Sequence, residues 1–434
     1  MYQESAVTRR VTKRLLPFLI LCYFVAYLDR SNLGIAALTM IPALGLSQTD
    51  FGFAAGIFFL GYVVFEIPSN LLLVKFGARK WIARIMITWG IIAAGMAFVT
   101  GASGLYALRI LLGIAEAGFF PGVIFYLTFW FPAAHRARVF GYFMTAIPLS
   151  IVLGAPLSAS LLYLNGVGGL QGWQWLFIIE AIPAVVLGVI CFFYLTDKPE
   201  DANWLKPEER TWLVDSLQAD ARQGASSSAN EHSSVLYALL HPKLWLMSLV
   251  NLGLIAGAYG IVFFLPQIVA GFGFTKMETG LITALPFLAG TIGMVWCGLH
   301  SDRTGERRLH LALPMFIAFG GYMTAGFVDG AVPKTIALTF AALGTFSAYA
   351  PFWPFLPMFL KKGVGAAAGI AAINTIGSMA GFGAPYLMGY VKQHTGNYNL
   401  GLMIIAAFLL VAGLLALTFP SQAAAENRRD LQPA

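Results

Sequence analysis

About twelve apolar stretches follow one another along this chain, each long enough to cross a lipid bilayer as a helix, for which roughly 20 apolar residues are needed. Hydrophobic residues make up 58% of the chain and charged residues only 11%. A water-soluble domain carries about a quarter charged residues. The chain therefore has more apolar surface than a soluble fold can bury, and we predict an all-α membrane protein with twelve transmembrane helices. The stretches lie near residues 15–38, 51–73, 81–100, 104–130, 139–163, 174–195, 243–270, 279–299, 311–328, 335–359, 365–390 and 400–419.

One long polar stretch, from Asp197 to Ser234, separates the first six apolar stretches from the last six. It contains the run Gly-Ala-Ser-Ser-Ser-Ala-Asn, a composition typical of linkers. The sequence therefore predicts two six-helix bundles, residues 1–196 and 241–434, joined by a cytoplasmic linker over residues 197–240.

The basic residues of the connecting segments are unevenly distributed between the two sides of the predicted bundle. Only Lys276, Lys334 and Lys392 fall on one side. By the positive-inside rule, the richer side, which carries both termini and the linker, is cytoplasmic, and we expect a bacterial-type inner membrane. The net charge of +7 then comes mostly from basic residues that set the orientation and attract anionic lipid headgroups. It does not predict a nucleic-acid partner. The residues on the richer side are Arg9, Arg10, Lys13, Arg14, Lys75, Arg79, Lys80, Arg136, Arg138, Arg303, Arg307, Arg308, Lys361, Lys362, Arg428 and Arg429.

An internal repeat supports the division into two halves. Residues 70–80 align with residues 298–308 at an offset of roughly 228 residues, and Gly154-Ala-Pro matches Gly383-Ala-Pro at nearly the same offset. Pseudo-symmetric parallel halves suit alternating access, in which two bundles rock around a site held between them.

Two pairs of ionisable residues lie inside apolar stretches: Asp29 with Arg30, and Arg109 with Glu116. Charges in hydrocarbon cost several kcal/mol and indicate an ion or substrate pathway. Burial of Asp29 favours its protonated form, while Arg30 offers a fork of donors to a substrate carboxylate. Arg109 and Glu116 are seven residues apart and share one helix face. Because no histidine lies inside a predicted span, Asp29 and Glu116 are the predicted proton carriers; structural ion pairs between neighbouring helices are the alternative.

The loop from Gly298 to Arg308 resembles the G-x-x-x-D-R-x-G-R-R signature of the major facilitator superfamily. The first-half copy departs from it, with Asn70 for glycine and Val74 for aspartate. Further motifs resemble those of the anion:cation symporter branch. Within that branch, the sequence as a whole is most similar to the tartrate, phthalate and 4-hydroxyphenylacetate carriers. The resemblance covers roughly residues 10–420, and its further motifs are Tyr27-Leu-Asp-Arg-Ser-Asn, Gly61-Tyr-x-x-x-Glu-Ile-Pro-Ser-Asn, Arg109-x-Leu-Leu-Gly-x-Ala-Glu-Ala-Gly and Trp173-x-Trp-Leu-Phe-Ile-Ile-Glu.

This resemblance assigns roles to individual residues. It implies that Asp29 and Glu116 carry protons and that Arg30 meets the substrate, whereas Arg109 either meets the substrate or balances the charge of these acids. Tyr62 and Asn374 match positions that contact substrate in this branch.

Other polar groups near the spans have weaker assignments. The predicted cavity also includes Tyr27 and Tyr259, and Trp353 is a further candidate, although membrane packing explains Tyr259 and Trp353 equally well. Glu66 is expected to cap or gate near the cytoplasmic end of its span, and Glu180 lies near the outer end of span 6.

Asp302 and Arg303 begin the second-half signature and are predicted to form a gate that locks the two halves on the cytoplasmic face. Because Val74 replaces the matching acid in the first half, we expect this lock to be asymmetric and to rest mainly on Asp302.

The sequence contains no P-loop, no metal-ligand cluster and no Gly-x-Ser-x-Gly elbow, so we predict no enzyme, no cofactor and no bound metal. Cys22, Cys191 and Cys297 all lie in spans, as packing residues do. The predicted function is that of a monomeric, proton-coupled symporter that imports a small organic carboxylate. Coupling to sodium, an anion exchanger or exporter, and a transporter-like sensor remain as alternatives.

Overall fold

The computed structural model describes residues 2–228, 241–355 and 364–419. Every regular element within these ranges is helical, as the composition predicted. The end of the predicted linker, residues 229–240, lies outside the described residues, as do Lys361, Lys362, Arg428 and Arg429.

Eight helices build the first half, and two predicted spans appear in it as pairs of shorter helices. The fourth predicted span breaks at Gly118, whose φ of 85° ends one helix directly after Glu116 and starts the next. The fifth changes helix near Thr145. The helices are α1 (Tyr2–Ala43), α2 (Gln48–Phe76), α3 (Ala78–Gly95), α4 (Ala102–Glu116), α5 (Phe119–Thr128), α6 (Ala133–Met144), α7 (Ala146–Leu161) and α8 (Gly172–Tyr194).

Among the described residues, the second half contains seven α-helices, and the described part of the predicted linker contributes one more. Among the described residues, eleven helical stretches of the whole chain are long and apolar enough to cross a membrane. The helix at the predicted span near 365–390 is not one of those eleven, but it is 32 residues long. The helices are α9 (Pro207–Ser228) in the linker, then α10 (Pro242–Val262), α11 (Leu265–Ala270), α12 (Lys276–Thr304), α13 (Arg308–Phe327), α14 (Ala331–Phe352), α15 (Val364–Thr395) and α16 (Asn399–Ala416).

The internal repeat has a structural counterpart in how α2 and α12 begin and end. Ser47 and Thr275 each start their helix with a capping box, in which the side chain of the acid three residues later bonds back to the cap. Gly77 and Gly305 each end their helix at positive φ, 88° and 69°, a conformation that glycine adopts at low cost. The two loops of the repeat therefore follow equivalent helices.

The two halves meet most closely where α2 packs on α15 and α7 packs on α12. We call the side of the bundle where α2 begins and α15 ends the opposite side, and the side that carries the N terminus and the linker the terminal side. At the opposite side Gln48 N donates to Gln393 Oε1 at 3.1 Å, and Lys276 Nζ donates to Leu162 O at 3.3 Å. These contacts join the halves at the opposite side.

Small residues let the backbones of α2 and α15 approach each other. A Cβ atom placed on Gly56 would lie 2.5 Å from the carbonyl oxygen of Phe382, far inside van der Waals contact. The seal between these two helices therefore depends on glycine, as close helix packing in membranes often does.

We expect Gly56→Ala to open the opposite side, because the new methyl group must push α2 away from α15. Spin labels on the exposed positions Ala43 and His394, one in each half, measure this separation, and the variant should populate longer distances. Gly383→Ala on α15 is the control, since its Cβ would meet nothing within 4 Å. Unchanged distances in Gly56→Ala would show that the two helices adjust without parting.

Candidate functional site

A buried ion pair joins α1 to the end of α4. Arg30 Nη2 lies 2.6 Å from Glu116 Oε2, and Arg30 Nε donates to the same oxygen at 2.7 Å. Arg30 is 7% exposed and Glu116 is fully buried. Glu116 Oε1 has no hydrogen-bond partner, so the pair leaves one carboxylate oxygen unsatisfied. The arginine of one sequence pair is thus bound to the acid of the other.

Aromatic rings surround the guanidinium of Arg30. Its Cζ lies 5.1 Å from the ring centre of Tyr27, 5.1 Å from that of Phe58 and 5.3 Å from that of Tyr62. Such distances allow cation–π attraction, which strengthens when the cation is shielded from water. The cage holds the cation at a fixed place on the inner face of the first half.

The second half closes this cage through Tyr259 on α10. The hydroxyl groups of Tyr27 and Tyr259 are 3.4 Å apart, and the ring of Tyr259 lies edge-on to Phe59 at 4.5 Å. A small cavity of about 20 Å³ adjoins them, lined also by Met294 and Tyr349. The predicted cavity residues Tyr27, Tyr62 and Tyr259 therefore lie together between the halves, next to Arg30.

Asn374 on α15 contacts the first half through Glu66. Its Nδ2 donates to both oxygens of the Glu66 carboxylate, at 2.8 and 2.9 Å. Glu66 is 8% exposed and lies one turn beyond Tyr62 on the same face of α2. Asn374 therefore borders the same interface as the Arg30 cage. Trp353, by contrast, packs against Phe352 at the end of α14, with ring centres 5.1 Å apart.

Arg109 is fully buried behind α2. Its Nε and Nη2 donate to the backbone oxygens of Ala54 and Ala55 at 3.0 and 3.1 Å, and its Cζ lies 4.9 Å from the ring of Phe58. Nη1 has no hydrogen-bond partner. In this conformation Arg109 joins α4 to α2, while Arg30 takes the place beside Glu116.

Asp29 and Glu180 are buried inside the first half and accept from neutral donors. Trp89 Nε1 donates to Asp29 Oδ2 at 2.7 Å, and Ser158 Oγ donates to Glu180 Oε1 at 2.7 Å. The second oxygen of each carboxyl group has no hydrogen-bond partner. Neither acid has a hydrogen-bonded cation, an arrangement that suits a neutral carboxylic acid because an isolated buried charge is costly.

The predicted gate residues lie in the last turn of α12. The side chain of Asp302 is 72% exposed, and its Oδ1 lies 3.8 Å from Nη2 of Arg307, which lies in the loop that follows. Arg303 is also exposed. Their predicted role in locking the halves stays a prediction.

Sequence reasoning did not find two features of this site. Phe58 and Phe59 were not predicted, although Phe58 precedes Tyr62 by one helical turn and so faces the same way. The contact of Glu66 with Asn374 was also missed, because the two residues are 308 positions apart.

Comparison with known proteins agrees with this architecture. The chain is 47% identical over 430 residues to a protein of Agrobacterium vitis provisionally named a tartrate transporter, covering 99% of this chain and 98% of that one. It is 38% identical to a quinolone resistance transporter of Acinetobacter baumannii, covering 98% and 97%. Among solved structures, an inward-facing bacterial homologue of the human lysosomal transporter Spinster matches with a TM-score of 0.71 at 17% identity, covering 99% of both chains.

The predictions of a transporter and of an all-helical fold are confirmed by these relatives, which are transporters and not enzymes. The sequence profile of the Major Facilitator Superfamily matches residues 19–354. Together with the buried polar site between two helical halves, this match shows that the chain is a multi-pass membrane protein belonging to the major facilitator superfamily.

Proposed function

We propose that this chain is a proton-coupled symporter that imports a small organic carboxylate, with tartrate as the first candidate. The observation that carries the proposal is Arg30, a buried arginine that lies between the halves and is occupied by a carboxylate of the chain itself. A site that binds the Glu116 carboxylate by two donors of one guanidinium is chemically suited to a substrate carboxylate. The name of the relative from Agrobacterium vitis supports tartrate.

The coupling follows from competition for Arg30. When a substrate carboxylate binds Arg30, Glu116 loses its partner while it stays buried, and an unpaired buried charge is strongly unfavourable. Glu116 then takes a proton, which is released when the substrate leaves and the ion pair re-forms. Asp29, which has no hydrogen-bonded cation, is the second proton site.

The orientation is part of the proposal. If the terminal side faces the cytoplasm of a bacterium, as the basic residues predict, then the conformation described here is closed toward the periplasm. Substrate then leaves toward the cytoplasm while the contacts at the opposite side stay closed, as import requires. The gate of Asp302 and Arg303 would lie on the cytoplasmic face, where it closes in the outward-open state.

The decisive experiment is uptake of radiolabelled tartrate by proteoliposomes that contain only the purified protein. We expect accumulation when the outside is more acidic, by about tenfold per pH unit for each coupled proton, and loss of accumulation when a protonophore is added. A sodium gradient without a pH gradient should have no effect. Accumulation driven by sodium alone, or exchange without net uptake, would replace symport with protons by one of the alternatives.

A second candidate function, drug export, is favoured by the similarity to a quinolone resistance transporter. The same vesicles test it: an exporter would move a fluorescent quinolone against its gradient in exchange for protons. The Arg30 cation suits the carboxylate of either substrate, so the direction of movement in these vesicles decides between the two functions.

A further inference from the structure

The interface between the halves contains a second buried carboxylate besides Glu116. Both carboxylate oxygens of Glu66 accept hydrogen bonds from Nδ2 of Asn374. The amide of one half is thus bonded to a carboxylate of the other. An amide that donates to both oxygens of one carboxyl group fits the ionised form of Glu66. The contact joins residues of different halves, one helical turn beyond Tyr62 on α2.

The carboxylates of Glu116 and Glu66 are each bound by a donor side chain of another helix. Arg30 holds Glu116, and Asn374 holds Glu66. Arg30 lies beside Tyr62, and Glu66 follows Tyr62 by four residues on α2, about 6 Å along the helix axis. Glu66, and with it the amide of Asn374, is therefore bound one helical turn beyond the tyrosine that borders the Arg30 guanidinium.

We propose that Glu66 is a specificity-determining residue that stands in for the second carboxylate of a dicarboxylate substrate. One substrate carboxylate replaces Glu116 on Arg30, and the other replaces Glu66 on Asn374. This inference rests on the proposed import of a small carboxylate and selects among its substrates: diacids displace both glutamates, whereas monoacids displace one.

The charge of Glu66 links substrate binding to proton uptake. Arg30 is paired with Glu116, and Arg109 donates to backbone oxygens of α2, so the Glu66 carboxylate is held by the neutral amide of Asn374 and not by a hydrogen-bonded cation. Two charged or titratable groups interact with Glu66, namely Arg30 and Tyr62. Arg30 is already paired with Glu116, and Tyr62 carries no positive charge. Glu66 therefore binds a proton when the diacid displaces it, and that proton comes from solvent together with the one taken by Glu116.

The alternative is that the contact between Glu66 and Asn374 only ties the halves together. Glu66→Gln separates the two cases, because glutamine still forms an amide hydrogen bond with Asn374 but has no charge. If the contact is only structural, Glu66→Gln should keep it, and substrate binding should be unchanged or weaker. A competing carboxylate, once removed, leaves substrate binding stronger.

The test is titration calorimetry of the purified full-length protein with L-tartrate and with the monoacid D-glycerate. We expect Glu66→Gln to bind tartrate about tenfold more tightly, since no carboxylate then competes for Asn374 and none has to take up a proton when the diacid enters. The affinity for glycerate should change less than threefold. Glu208→Gln, an exposed glutamate of the linker helix, is the control and should match the parent.

Repeating the titrations in two buffers with different ionisation enthalpies counts the protons taken up with tartrate. The count should fall by about one in Glu66→Gln relative to the parent. Unchanged or weaker tartrate binding with an unchanged proton count would overturn the role of Glu66. A parent protein that neither binds nor accumulates tartrate or glycerate would instead contradict the proposed import of small carboxylates, and this inference with it.

Discussion

Arg30→Ala should abolish tartrate binding and transport, with affinity lower by about thirtyfold or more. A charge-assisted contact with a carboxylate is worth roughly 2–5 kcal/mol when one partner is removed. Arg109, the other buried arginine among the described residues, already donates through Nε and Nη2 to backbone oxygens of α2. Equilibrium binding to the purified variant measures the loss.

Arg84→Ala is the matched control for Arg30→Ala. Arg84 is a half-buried arginine whose Cζ lies 3.9 Å from the ring of Trp81, outside the interface between the halves. It should retain the parent's affinity. If Arg30→Ala inserts correctly and binds tartrate within a few-fold of the parent, Arg30 is a structural residue and the ion pair with Glu116 serves only to hold α1 against α4.

Arg109 shows the limit of reasoning from spacing along one helix. Seven residues separate it from Glu116, and the spacing correctly predicts one common face. That face, however, meets α2 at the level of Arg109 and α1 at the level of Glu116, where the chain breaks at Gly118. Which neighbour each residue meets depends on helix packing, and the sequence of α4 alone does not contain that information.

The larger features were accessible because each depends on a local or repeated signal. The length of the apolar stretches predicts the helices, and the loop at 298–308 supports both the repeat and the family. The pairing of Glu66 with Asn374 depends on how two distant helices from different halves face each other. A single sequence gives no measure of that contact, which is why Glu66 was interpreted only as a cap or gate.

The neutral variants Asp29→Asn and Glu116→Gln should separate binding from coupling. Glu116→Gln frees Arg30 from its competing carboxylate, and Asp29→Asn can still accept the hydrogen bond from Trp89. Both variants mimic the protonated form. We therefore expect each to exchange internal for external tartrate at a rate close to that of the parent, while accumulation driven by a pH gradient falls to the level reached with a protonophore.

Counterflow and gradient-driven uptake in the same proteoliposomes measure the two properties separately. The control is again Glu208→Gln, which removes one carboxylate from the linker helix and should accumulate tartrate normally. If the two neutral variants still accumulate tartrate fully, protons are carried elsewhere. Glu180 then becomes the next candidate, because it is buried, accepts from Ser158 and has one oxygen without a partner, as Asp29 does. Loss of exchange together with accumulation would instead mean that these acids shape the binding site itself.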